Sequence, residues 1–122
     1  MKIAISSTGE DLQSQIDTRF GRCKYFIIVD NENLEFQKIS NESAIAAGGA
    51  GIKAAETIVN QGAEVVITGN IGPNAFRTLN AAGIKIYAGI DGIIKDAIEK
   101  LNKGELKEVK DPSVESHSGM NR

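Results

Sequence analysis

The chain reads as one α/β domain, a mixed sheet flanked by helices in the order β-β-β-α-β-α-β-α. Three observations lead there. The front third holds short β-branched and aromatic runs, two of them spaced as a hairpin. From Gly51 onward, helical-period segments alternate with continuous apolar runs, each closed by a glycine. And 122 residues with 41% hydrophobic and 25% charged side chains suit one ordinary globular core.

The elements follow in order. KIAIS (2–6) is a short strand. Residues 7–23, STGEDLQSQIDTRFGRC, are polar without a 3.6-residue apolar period and are expected to form a long loop. YFIIVD (25–30) and LEFQKI (34–39) form a hairpin turning at Asp30 to Asn33, and both are expected to pair with the first strand. The first helix starts at Gly51, with Ile52, Ala55, Ile58 and Val59 on one face, and stops at Gly62. EVVITG (64–69) is continuous and apolar, as parallel strands covered on both faces are. The next helix carries Pro73 in its first turn, where the missing N–H costs nothing, and ends at Gly83. IKIYAG (84–89) is the fifth strand. Asp91 is expected to cap the last helix, striped by Ile93, Ile94, Ala97, Ile98 and Leu101 and ended by Gly104. The domain therefore spans 1–104, and 105–122 is a charged tail expected to be disordered, carrying the single histidine, His117.

Composition narrows the function. The net charge of −2, with cations spread thinly, gives no footprint for nucleic acid or an anionic membrane. No apolar run approaches the ~20 residues of a membrane span, and MKIAISS enters a strand pattern rather than a signal peptide. A lone cysteine, Cys23, forms no internal disulfide, and the expected setting is cytoplasmic, as a monomer or weak homo-oligomer.

Chemistry concentrates in two places. The turns GGAG (48–51), TGNIGPN (68–74) and AGIDG (88–92) each lead into a helix, and converging helix N-termini attract anions through unpaired N–H groups. Glycine also simply permits tight turns, so that reading stays open. Gly49, Gly51 and Ala54 fit G-x-G-x-x-A, but the stretch does not follow the first strand and no acidic residue waits for a ribose, so no nucleotide is expected. In RFGRCKYF (19–26), Cys23 stands between Arg22 and Lys24; nearby cations favour a thiolate that binds soft metals, whereas the alternative is a small residue at a strand's start. One Cys and one His do not make a closed four-ligand zinc site, and no second histidine supports a hydrolytic base.

FGRCKYFIIVD, GGAGIKAAETI and VITGNIGPNAFRTLNAAGIKIY together resemble the dinitrogenase iron-molybdenum cofactor biosynthesis family, which includes NifX-like proteins and the C-terminal domain of NifB, over about residues 1–103. The resemblance implies a ribonuclease H-like motif around a mixed five-stranded sheet. It further implies a non-catalytic protein that binds or carries an iron-sulfur or iron-molybdenum cluster, or its precursor, with metallocofactor-assembly proteins as partners. Carried over, it makes Cys23 the soft metal ligand, puts Gly49, Gly51, Asn70, Gly72 and Asn74 around the binding edge, and has Arg22 offset the cluster's charge. Members that hold the cofactor often carry a histidine before the glycine cluster; Ala46 and Ala47 stand there in this chain. The rival expectation is a protein-interaction module without bound metal.

Overall fold

A computed structural model describes residues 1–112; His117 lies outside the described residues. Strands β1 (Lys2–Ser7), β2 (Tyr25–Asp30), β3 (Phe36–Ser40), β4 (Val65–Ile67) and β5 (Lys85–Tyr87) form one sheet in the order β3-β2-β1-β4-β5. Helices are α1 (Glu42–Ala46), α2 (Ala50–Asn60), α3 (Pro73–Ala81) and α4 (Ile94–Asn102). β2 is antiparallel to both β1 and β3, whereas β4 is parallel to both β1 and β5. This is the mixed five-stranded α/β architecture expected from the sequence.

Strand alternation divides the apolar residues between two cores. Ala4, Phe26, Ile28 and Val66 face α2 and α3, packing against Ala54, Ala55, Ile58 and Leu79. Ile3, Ile5, Ile27, Val29, Val65 and Ile67 face α4 and meet Ile94, Ala97 and Ile98. The central strands are therefore apolar on both faces, which is why KIAIS and EVVITG read as unbroken runs.

Four details differ from the expectation. β3 pairs with β2 alone, because the second edge of β1 is taken by β4. β3 is left as an edge strand, and its polar FQKIS sequence is mostly exposed. The short helix α1 was not foreseen; five residues are too few to show a helical period. In α2 the inward face is Ala50, Ala54, Ala55 and Ile58, and Ile52 is exposed, so the helix packs through small residues. Finally, α4 is preceded by Ile93 in an extended conformation with no side-chain cap. Asp91 falls two residues short because Gly92, at φ 95°, and the Gln15–Ile93 bridge intervene.

The polar loop between β1 and β2 is held by backbone bonds at many points. The Asp17 N–H donates to Ser6 O at 2.9 Å, Ile16 N–H to Gly92 O at 2.8 Å, and Asn70 N–H to Thr18 O at 2.8 Å. The buried Ser6 Oγ donates to Asp17 O at 2.9 Å and lies 2.7 Å from Thr68 Oγ1. After α4, residues assigned by composition to the tail turn back onto β5. The Val109 N–H donates to Ile86 O at 2.9 Å, with Leu106 and Val109 partly buried against the two cores. A sheet edge has unpaired carbonyls, and two apolar residues in an otherwise charged segment are enough to dock there. No helix among the described residues is long and apolar enough to cross a membrane.

Candidate functional site

Topology brings two helix starts to one sheet edge. β4 leads directly into α3, so α3 begins at the C-terminal end of that strand; α2 runs back before β4 and begins at the same edge. Both helices lie on the same face, with Ala54 of α2 and Ala75 of α3 in one core. α4 packs on the opposite face through Ile94. The 88–92 turn reaches the same sheet edge, where Ile90 N–H donates to Thr68 O at 3.2 Å and Gly89 N–H to Gly69 O at 2.6 Å, but it does not line the space between α2 and α3.

Glycine allows the backbones there to approach. Gly48 and Gly49 are consecutive left-handed residues, φ 74° and 56°, a conformation that costs a side chain. A Cβ on Gly21 would fall 2.9 Å from both Cα and N of Gly51, so the loop after β1 lies directly on the first turn of α2. Gly51 in turn looks across at Ala75, 3.6 Å from where its Cβ would stand. Between loop residues 20–22, the start of α2 at 49–51 and the start of α3 at 72–75 is a cleft of about 570 Å³.

The cleft's electrostatics favour an anion. First-turn N–H groups have no acceptor inside their own helix and carry the positive end of its dipole. Neither α2 nor α3 has an acidic residue in its first turn. Arg22 is the charged residue of the lining. Outside the lining, Arg77 of α3 donates from Nη1 to the lining residue Asn74, at Oδ1, over 3.2 Å.

Of the residues singled out in the sequence, Arg22, Gly49, Gly51, Gly72 and Asn74 line this cleft together. Asn70 does not. Its backbone instead anchors the loop, accepting from Phe20 N–H at 3.1 Å and donating to Thr18 O at 2.8 Å. Cys23 does not line it either. Its side chain is 0% exposed, packed in the core with Phe20 and Phe26. Its Sγ donates to Phe20 O at 3.4 Å. Burial pushes the thiol up to about 12, outweighing the backbone hydrogen bond from Ser7; Asp17 adds to the rise and Arg19 opposes it, while Arg22 and Lys24 are exposed. Cys23 is thus a buried, neutral thiol of the core.

Sequence reasoning missed Gly21, Asn41 and Arg77. Gly21 was legible in principle as a backbone approach within FGRC, and Arg77 as one turn on from Asn74. Asn41, whose Nδ2 donates to Gly21 O and Cys23 O, had no signal, because those partners lie 20 and 18 residues away.

No group of three or more His, Cys, Asp or Glu among the described residues could hold a metal ion. The donors present are N–H groups and a guanidinium, which fit an anionic surface such as sulfide or oxo groups rather than a bare cation.

Fold and site together define an α/β domain with an anion-receptive cleft at the edge of a mixed sheet. The chain belongs to the dinitrogenase iron-molybdenum cofactor family, whose model matches residues 1–104. It is similar to the orange protein of Desulfovibrio gigas, solved in its apo form: 34% identity over 91% of this chain and 94% of that one, with a TM-score of 0.87. A Thermotoga protein of the DUF35 family (TM1290), solved by NMR and named for NifB, shares 38% identity over 88% of this chain and 91% of its own, with a TM-score of 0.73. A curated relative, MJ0580 of Methanocaldococcus jannaschii, is 32% identical over 110 residues, covering 88% of this chain and 90% of its own length.

Proposed function

We propose that this chain is a non-catalytic carrier for an anionic iron-sulfur or iron-molybdenum cluster, or a precursor of one, during metallocofactor biosynthesis. The observation that carries the proposal is the cleft itself: two helix starts without acidic residues, met by a loop bearing Arg22. Membership of the family supports the choice of cargo. The cluster's sulfide or oxo surface accepts from N–H groups of α2 and α3, and Arg22 offsets its charge. Cys23, buried and protonated, makes no bond to metal. A cargo held without a covalent protein bond passes between assembly proteins with no ligand to break, which suits a carrier.

The test is anaerobic incubation with iron and sulfide, or with isolated cofactor, followed by gel filtration. Wild type and Cys23→Ala should both elute with visible charge-transfer absorption. Colour lost in Cys23→Ala alone would restore the cysteine as ligand, and a colourless wild type would sink the carrier function.

A further inference from the structure

The buried amide of Asn41 lies outside the cleft lining but bonds the loop that carries Arg22. Asn41 stands at the N-cap position of α1, where asparagine ordinarily accepts a helix N–H, yet it makes no side-chain cap bond. Instead the residue is 3% exposed and turned inward. Its Nδ2 donates to Gly21 O at 3.0 Å and to Cys23 O at 3.0 Å, the two carbonyls that flank Arg22. Its own N–H donates to Lys24 O at 3.0 Å. Both amide hydrogens and the backbone donor of one residue are therefore committed to residues 21–24.

We propose that Asn41 is the positioning residue of the anion cleft, clamping the Arg22 loop against the first turn of α2; the proposal rests on the carrier function above. Two consequences follow from the peptide geometry. The Gly21 carbonyl points inward to Asn41, so in a trans peptide the N–H of Arg22 points the opposite way, out of the core. Carbonyl oxygens, which repel an anion, are thus turned from the loop's outer side. The clamp also keeps Gly21 on Gly51, the contact that sets the spacing between loop and α2, and leaves the Arg22 side chain exposed at the rim.

The experiment is an anaerobic visible titration with tetrathiomolybdate, a coloured molybdenum-sulfide dianion, on wild type, Asn41→Ala, Asn41→Ser, Arg22→Ala and the Asn41→Ala/Arg22→Ala double variant. Thermal unfolding without the probe is followed in parallel. Asn41→Ala and Arg22→Ala should each bind roughly tenfold more weakly, the loss expected when one charge-assisted contact goes. Because Asn41 acts through the Arg22 loop, the double variant should lose clearly less than the product of the two. Asn41→Ser offers α1 a capping hydroxyl that the Asn41 side chain does not supply, but is too short to reach both carbonyls. It should match Asn41→Ala in affinity while losing less thermal stability. Wild-type affinity in either Asn41 variant, or losses that multiply fully in the double variant, would overturn the positioning role and leave the carrier function standing. A wild type that does not bind the probe would remove both.

Discussion

The sharpest structural perturbation is a single methyl group at Gly21. Its Cβ would lie 2.9 Å from Gly51 Cα and N and 3.3 Å from Ala50 C, all backbone atoms that have no rotamer to move aside. Carbon atoms are comfortable at about 3.5–4.0 Å, so loop and helix must separate by roughly 0.6 Å or more. Overpacking of this kind costs about 1–3 kcal/mol. For a domain of this size that corresponds to a fall in Tm on the order of 5–15 °C. Gly51→Ala provides the contrast. Its Cβ meets only the Ala75 Cβ at 3.6 Å, ordinary contact, and its helical backbone accepts alanine. Removing a helical glycine should be neutral or stabilising by up to about 1 kcal/mol. Thermal and urea unfolding of the two variants against wild type reads both effects. Gly21→Ala melting with wild type, or Gly51→Ala proving the more damaging, would refute the close approach of loop and helix on which the cleft depends.

Other outcomes follow from the same structure. The Cys23 thiol ionises near 9.0 when unfolded and near 12 when folded, so in that window unfolding releases a proton and stability falls as pH rises, by at most about 1.4 kcal/mol per unit. Urea titrations of wild type at pH 8 and pH 10 should show this fall, and Cys23→Ala should show less of it; equal slopes would mean the thiol is not buried as described. At the sheet edge, Ser6 Oγ gives its proton to Asp17 O and accepts from Thr68 Oγ1. Thr68→Val should therefore cost about 1 kcal/mol, whereas Ser6→Ala leaves the buried Thr68 hydroxyl without its acceptor and Asp17 O with only the longer bond from Gly69 N–H at 3.4 Å, and should cost about 2 kcal/mol. Chemical denaturation that reverses that ranking would contradict the bond directions.

What the sequence shows of this fold is what period and punctuation can encode. The apolar strand runs, Pro73 in the first turn of α3 and the stops at Gly62, Gly83 and Gly104 are local signals, and each lies where the pattern put it. The place of β3 was not local: whether it meets β1 or only β2 depends on β4 claiming the other edge, a crossover that β3 itself does not record. α2 misled because its inward face is three alanines and Ile58, and hydrophobic spacing gives weight to Ile52, which is exposed. The site divides in the same way. The turns that hold Gly49, Gly51, Gly72 and Asn74 were legible from glycine and proline chemistry, the four residues themselves were implied by the family resemblance, and all four line the cleft. Cys23 was judged by its charged sequence neighbours, whereas desolvation in the folded core decides its protonation. Asn41 was invisible because its partners lie 18 and 20 residues away.

The central claim is that an anionic cluster sits between the first turns of α2 and α3, and amide-resolved NMR during an anaerobic tetrathiomolybdate titration tests it most directly. The largest shifts are expected at Ala50, Gly51, Asn74, Ala75 and Arg22, with the α4 start at Ile94 and Lys95 unchanged. Shifts centred on α4 or on β3, or none at a saturating probe concentration, would contradict it.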